Sequence, residues 1–338
     1  MIRAAIIGMG TWGQNLVRCA EGSKAIRFTT GATRTPDKAR DFAQKHGIRM
    51  QASYEDVLRD PEVDAVVLAT PHSLHTEQIV AAARAGKHVF CEKPLGMNAR
   101  DAQRAAAACT EHGVTLAVGY NWRYQPALRR IRELIEDGTL GRVLHMEGNF
   151  CGPSAYRFPK GHWRHAPEEG PAGGMTGRGV HVIDAMLFLA GPIAQVTAQS
   201  FRLAQDFGMD DTTSMLLRFD NGATGYLGTV IATAETWRLQ VFGSNGWAEV
   251  GDVEHLHTWD LKVCLVDREN VTVKGRPVVH SFAKTSTERA ELEHFAQSAA
   301  ARQPLATPGG DAVHNVALLQ AIVSSIQSQQ PVRLDSIV

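Results

Sequence analysis

The sequence predicts an α/β protein with a doubly wound parallel sheet in its first part and an antiparallel sheet in its second. Three observations carry this expectation. Up to Tyr120, short apolar runs alternate with helical, often alanine-rich stretches. A glycine-rich turn closes the first apolar run. Beyond Tyr120 the alternation stops, and strand-like runs recur around Asn-Gly turns.

Ala4 to Ile7 is a buried strand ending at Gly8. Trp12 to Ala20 is the helix that follows. Ile26 to Ala32 is a strand, and Pro36 to His46 is a helix with proline near its start. Val63 to Thr70, His88 to Cys91 and Thr115 to Val118 are further strands. Leu74 to Ala85 and Ala99 to His112 are helices, each stopped by a glycine. Pro126 to Glu136 and His181 to Leu189 are helices in the second half. From Gln195 to about Val273 the turns at Asn221-Gly222 and Asn245-Gly246 favour hairpins. Helical patterns return at Glu288 to Ala300 and Asp311 to Gln327.

At roughly 150 residues per domain, 338 residues suggest two domains. The 44% hydrophobic and 21% charged composition is that of a globular core with a polar surface. The formal net charge of +0, without a basic block, speaks against nucleic acid or an anionic membrane as partner. The N-terminal apolar run is too short for a secretory signal, and no stretch approaches the roughly 20 apolar residues of a membrane span, so a cytoplasmic protein is expected. The five cysteines are scattered and form no C-x-x-C pair, so reduced thiols are expected. His162 with His165, and His255 with His257, lack cysteine or carboxylate partners at zinc spacing, so no metal site is expected.

Gly8-Met9-Gly10-Thr11-Trp12-Gly13 reads G-x-G-x-x-G between a strand and a helix, the context that gives this pattern meaning. Gly8 permits the tight turn, Gly10 lets the backbone approach a pyrophosphate, and Gly13 lets helix and strand pack closely. Thr11 and Trp12 open the helix, whose N–H groups and partial positive charge suit phosphates. About 20 residues further on, an acid would bind the 2′-hydroxyl of NAD. Here Thr33 and Arg34 stand there, with Lys38 close behind, and a hydroxyl with cations suits a 2′-phosphate. NADP is therefore favoured over NAD. Arg34 stacked on the adenine is the alternative, and either cofactor allows it.

Cys91-Glu92-Lys93-Pro94 follows the fourth strand. With the loop at Gly8, it makes the chain resemble the glucose–fructose oxidoreductase / inositol dehydrogenase / MocA (Gfo/Idh/MocA) family. Thr70-Pro71-His72-Ser73-Leu74-His75, Tyr120-Asn121-Trp122-Arg123-Tyr124, Trp163-Arg164 and Gly179-Val180-His181-Val182-Ile183-Asp184 strengthen the resemblance. It implies an N-terminal Rossmann domain with a doubly wound parallel sheet over residues 1–122. Residues 123–338 would form an α/β domain with an open, mostly antiparallel sheet for substrate and oligomerisation. A homodimer or homotetramer is expected on the same ground.

The resemblance implies Lys93 and His181 as the catalytic pair. A lysine at the carboxyl end of a parallel strand stands where ligands bind, and its ammonium exchanges protons readily when partly buried. A surface Lys93 paired with Glu92 is the plain alternative. His181 can stabilise a substrate oxygen; a satisfied helix histidine is its alternative. Asp184 holds the helix or orients His181. Thr70, Pro71, His72, His75, Glu92, Asn121 and Arg123 are expected to border the cofactor. Trp163 and Arg164 are expected against the substrate, with a core tryptophan and a solvated arginine as the equal alternative.

One position departs from the family pattern. The aspartate usual before the histidine is Gly177 here, and glycine neither bonds a hydroxyl nor orients a base. Lys93 and His181 suffice, or the space admits a larger substrate, or Thr176 and Arg178 contact an anionic or carbonyl group. The expected reaction is hydride transfer between nicotinamide and a secondary alcohol carbon of a sugar, cyclic polyol or sugar acid. A cyclic dihydrodiol substrate, redox-neutral glycoside chemistry on bound NAD, and a non-catalytic dinucleotide sensor are the rivals.

Overall fold

The computed structural model describes residues 1–157, 159–163, 166, 168–272, 274–304 and 312–337. It divides into two compact units. The first holds the chain up to Asn121 and the segment that begins at Ser286. The second begins at Trp122, runs to Thr285 and takes in the C-terminal helix.

The first unit is built on a six-stranded parallel sheet. Its strands are β1 (Ile2–Ile7), β2 (Ile26–Ala32), β3 (Arg49–Met50), β4 (Ala65–Leu68), β5 (His88–Cys91) and β6 (Leu116–Val118), in the spatial order β3-β2-β1-β4-β5-β6. The helices between them are α1 (Thr11–Cys19), α2 (Pro36–Lys45), α3 (Tyr54–Arg59), α4 (His75–Arg84) and α5 (Ala99–Glu111). The order reverses between β1 and β4, and ligands bind outside the carboxyl ends of the strands at such a point. Every residue of β4 is buried, as a strand covered on both faces requires.

The second unit opens with α6 (Pro126–Glu136), β7 (Val143–Cys151) and the single turn α7 (Ser154–Arg157). A π-helical turn at Met175–Gly179 runs into α8 (Val180–Ala190). Then come β8 (Ile193–Phe201), β9 (Thr212–Phe219), β10 (Thr224–Val230), β11 (Thr236–Gly243), β12 (Gly246–Asp252), β13 (Leu261–Leu265) and β14 (Val278–His280). Helix α9 (Thr287–Ala300) belongs to the first unit. Helix α10 (Ala312–Ser328) and β15 (Val332–Arg333) return to the second. The nine-stranded sheet has the order β14-β13-β12-β11-β7-β10-β9-β8-β15. All its pairings are antiparallel except β7 with β10. The Asn221-Gly222 and Asn245-Gly246 turns close the β9–β10 and β11–β12 hairpins.

Helix α8 carries an apolar side chain at nearly every position and is buried along its length. It can lie close to β7 because Gly148 has no side chain: a Cβ there would stand 2.4 Å from Val182 Cγ1. Helices α8 and α10 cover one face of the sheet through β7 and β8. Leu216 and Tyr226, directly opposite each other on β9 and β10, are exposed on the other.

The domain boundary expected after residue 122 falls after Asn121, and the second unit is not one continuous stretch. The cause is α9. Its Leu292, Phe295, Ala296 and Ala299 complete the apolar core under β1 and β2, and the Phe295 ring meets Phe90 edge-on at 5.8 Å. Removing that face from water supplies the drive to rejoin the first unit. Asp311, the expected start of the last helix, and Val273, the expected end of the strand region, lie outside the described residues. Among the described residues no helix is long and apolar enough to cross a membrane.

Candidate active site

The turn from β1 into α1 has the geometry a dinucleotide needs. Gly8 adopts φ +89°, and a Cβ on it would stand 2.5 Å from the Ala69 carbonyl oxygen. A Cβ on Gly13 would stand 2.0 Å from the Gly8 carbonyl oxygen. Gly10 differs: a Cβ there would meet nothing within 4 Å. The space left there is open, as the approach of a pyrophosphate to such a loop requires. Helix α1 starts at exposed Thr11 with no acidic residue in its first turn, so its positive end is uncompensated.

Trp12 turns back toward the sheet. Its indole Nε1 donates to Glu92 Oε1 at 2.6 Å. Glu92 is buried, and its carboxyl lies against Gly119, where a Cβ would stand 2.9 Å from Oε1. Burial pushes this carboxyl up, against the pull of the Lys93 ammonium and the Trp12 N–H. Half-buried Lys93 thus follows a carboxylate pinned to the dinucleotide loop.

The other expected cofactor residues fall into two groups. Thr33 Oγ1 accepts from the Met9 N–H at 3.4 Å, which ties the end of β2 to the loop. Arg34 and Lys38 are exposed, and neither side chain has a hydrogen-bond or ion-pair partner among the described residues. Thr70 Oγ1 donates to Gln78 Oε1 at 2.6 Å. Pro71 starts a short turn that carries buried His72. His75 is fully buried; its Nδ1 faces the Pro94 carbonyl oxygen at 2.7 Å and its Nε2 the Thr70 carbonyl oxygen at 3.1 Å. It braces the segment behind Lys93. Asn121 is buried and donates to Thr287 Oγ1 at 3.2 Å.

In the second unit His181 lies in the first turn of α8 and is 8% exposed. Its ring stacks on Trp122 with centroids 5.6 Å apart and planes at 22°. Trp122 is the hub of an aromatic cluster with Phe150, Trp237 and Trp259. Sequence reasoning passed over Trp122, although its place in Asn121-Trp122-Arg123 was a signal.

Arg123, expected beside the cofactor, is buried in a two-point ion pair. Nε and Nη2 donate to Asp184 Oδ2 and Oδ1, both at 2.6 Å. Asn315 Nδ2 donates to Asp184 Oδ1 at 2.9 Å, so Asp184 ties α8 to α10. Burial pushes the Asp184 carboxyl up, and Arg123 and Asn315 pull it back. Arg178 is likewise held. It donates to Glu235 Oε1 at 2.6 Å and Oε2 at 3.2 Å, and its guanidinium lies 4.8 Å from the Phe150 ring centre. Thr176 is buried and its Oγ1 accepts from the Ala172 N–H at 3.2 Å. A Cβ on Gly177 would meet nothing within 4 Å. Trp163 stacks on His162 at 6.0 Å, while Arg164 and His165 lie outside the described residues. The His257 imidazole stands 3.4 Å from Asp252. Among the described residues no group of three or more potential metal ligands occurs.

A parallel sheet with this loop, and an aromatic-backed histidine on a helix in a second unit, fit an oxidoreductase of the NAD-binding Rossmann class. Residues 2–120 match the oxidoreductase family with NAD-binding Rossmann fold, and residues 128–249 match the GFO/IDH/MocA C-terminal domain. The chain belongs to the Gfo/Idh/MocA family. It is 28% identical to D-xylose 1-dehydrogenase (NADP(+)) 2 of Haloferax volcanii, over 97% of this chain and 98% of that one. It is 26% identical to myo-inositol 2-dehydrogenase of Thermotoga maritima, over 100% of both chains. A crystal structure of a protein from Desulfitobacterium hafniense matches with a TM-score of 0.91 at 27% identity, covering 99% of this chain and 98% of that one.

The glycines separate folding from binding. Gly10→Ala keeps the melting temperature of the parent and weakens binding of the reduced nicotinamide dinucleotide about tenfold or more. Gly13→Ala lowers the melting temperature, because its Cβ cannot be placed without moving backbone. Fluorescence titration with NADH and NADPH and thermal unfolding read the two effects; unchanged affinity for both in Gly10→Ala would refute the cradle.

Proposed function

We propose that this chain moves a hydride between a nicotinamide cofactor, NADP in preference to NAD, and a secondary alcohol carbon of a sugar or cyclic polyol. The observation that carries the reading is Lys93 at the carboxyl end of β5, behind a carboxylate bonded to the dinucleotide loop. The nicotinamide, when bound, supplies the hydride acceptor or donor. Gly8, Gly10 and Gly13 with the start of α1 hold its pyrophosphate. Lys93 takes or returns the hydroxyl proton, and Glu92 keeps the lysine beside the loop. His181, backed by Trp122, bonds the substrate oxygen.

Two features refine the substrate and cofactor. Arg178 and Arg123 are each matched by a carboxylate, so neither offers a spare charge to an anionic substrate. That supports neutral sugars and polyols over sugar acids. Arg34 and Lys38 are uncommitted cations after β2, which supports a 2′-phosphate. The exposed Leu216–Tyr226 pair on the open face of the large sheet supports a homodimer or homotetramer.

A cofactor-reduction screen of neutral sugars, cyclic polyols, sugar acids and cyclic diols with NADP and NAD tests the reaction. The neutral compounds rank above the acids, and Lys93→Ala lowers turnover about a hundredfold or more. Full turnover in Lys93→Ala would refute the assigned role. Arg34→Ala weakens NADP about tenfold and leaves NAD nearly unchanged; an equal loss for both would place Arg34 on the adenine. Light scattering on the purified chain reads the assembly, and a monomer at micromolar concentration would exclude the sheet-face association.

A further inference from the structure

His255 lies in the segment after β12, between Asp252 and Trp259. Its ring meets Phe150 edge-on, with centroids 4.8 Å apart and planes at 65°. Its centroid lies 6.3 Å from that of Trp122 and 6.4 Å from that of His181. Phe150 also lies 6.2 Å from His181. Two imidazoles therefore share the same two aromatic walls, and Nδ1 of each is buried.

That placement has chemical consequences. An imidazole nitrogen lies about 1.2 Å from its ring centre, so centroids 6.4 Å apart leave about 4 Å between nitrogens turned toward each other, and one oxygen at about 2.8 Å from each spans that gap. An alcohol oxygen both donates and accepts, and two imidazoles in complementary tautomers meet both demands. Aromatic walls lower the local dielectric, so each ring feels the charge of the other more than it would in water.

We propose that His255 is a second substrate-bonding imidazole, acting with His181 on the oxygen of the reacting alcohol or carbonyl. The proposal rests on the dehydrogenase reading above. In the oxidation direction the carbon's hydride goes to the nicotinamide, the hydroxyl proton goes to Lys93, and the C–O single bond becomes a carbonyl. No covalent bond forms or breaks at His255; it holds the oxygen through both states.

Charged groups lie beside the pair on several elements. From the π-helical turn comes Arg178, over Phe150 and bonded to Glu235 of the segment before β11. Beside Trp122 lies Arg123, bonded to Asp184 of α8. The segment of His255 itself carries Glu254, Asp260 and His257, the last beside Asp252.

Two readouts test the proposal. The first is a histidine-resolved NMR titration of the ligand-free protein. His255→Gln moves the His181 midpoint by about half a pH unit or more, while His257→Gln leaves it in place. An unmoved His181 midpoint in His255→Gln overturns the pairing. The second is turnover on whichever alcohol the screen returns. His255→Phe lowers kcat about tenfold or more, and His255→Gln lies between, because its amide still donates. Parent-like kcat in both variants overturns the proposal whatever the titration shows. If the parent oxidises no alcohol, the dehydrogenase reading fails, and the titration alone decides whether the two rings act on each other.

Discussion

Between β1 and α1 the main chain approaches itself more closely than any side chain permits. A Cβ on Gly13 would overlap the Gly8 carbonyl, and one on Gly8 would overlap that of Ala69. This contact sets where α1 begins and which way its free N–H groups point. It also sets where Trp12 lands. Trp12 is in the first turn of α1, and only from there does its indole reach Glu92. The carboxylate it holds precedes Lys93, so the loop that suits a pyrophosphate and the residue that suits proton transfer share one anchor. His75 adds a second brace through the Pro94 and Thr70 carbonyls.

The second unit uses the same device at Gly148. There the missing side chain lets α8 settle onto β7. His181 enters at the first turn of that helix, and its ring stacks on Trp122. The Arg123–Asp184 pair with Asn315 fixes the helix one turn further on. Truncating one partner of such a buried pair costs about 3–5 kcal/mol, because the other charge is left without its counterion. These groups hold the histidine's helix in place.

Much of this was legible in the sequence. β2, β5 and α6 run over the residues their patterns marked, because each is bounded by a strong stop: glycine, proline or a polar turn. Both Asn-Gly hairpins were legible for the same reason. β3 and α3 were not, since two residues show no alternation and α3 buries only Val57. The return of α9 to the first unit was hidden because an apolar helix face does not say which sheet it will cover. Among site residues, the glycines and Lys93 were legible from spacing. The commitments of Arg123 and Arg178 were not, because Asp184 and Glu235 lie far away in sequence and meet them only in the fold. In the sequence His255 stands only beside His257, as a pair without the partners of a metal site; its edge-on contact with Phe150, set against the His257–Asp252 contact, was not legible.

The carboxylates around these sites narrow what can move a proton. Glu92 accepts from Trp12, Asp184 from Arg123 and Asn315, and Glu235 from Arg178. Each is fixed by a donor that would be stranded if the acid turned away. Glu92 and Asp184 are pushed up by burial, yet each has a cation beside it that favours the charged form. Acids held in this way position their neighbours rather than exchange protons with a ligand. In the proposed reaction, proton exchange and bonding to the reacting oxygen are assigned to nitrogen bases, the half-buried amine of Lys93 and the aromatic-walled imidazoles of His181 and His255. Gly177 fits the same division, since it contributes no side chain of its own and a Cβ there would meet nothing within 4 Å.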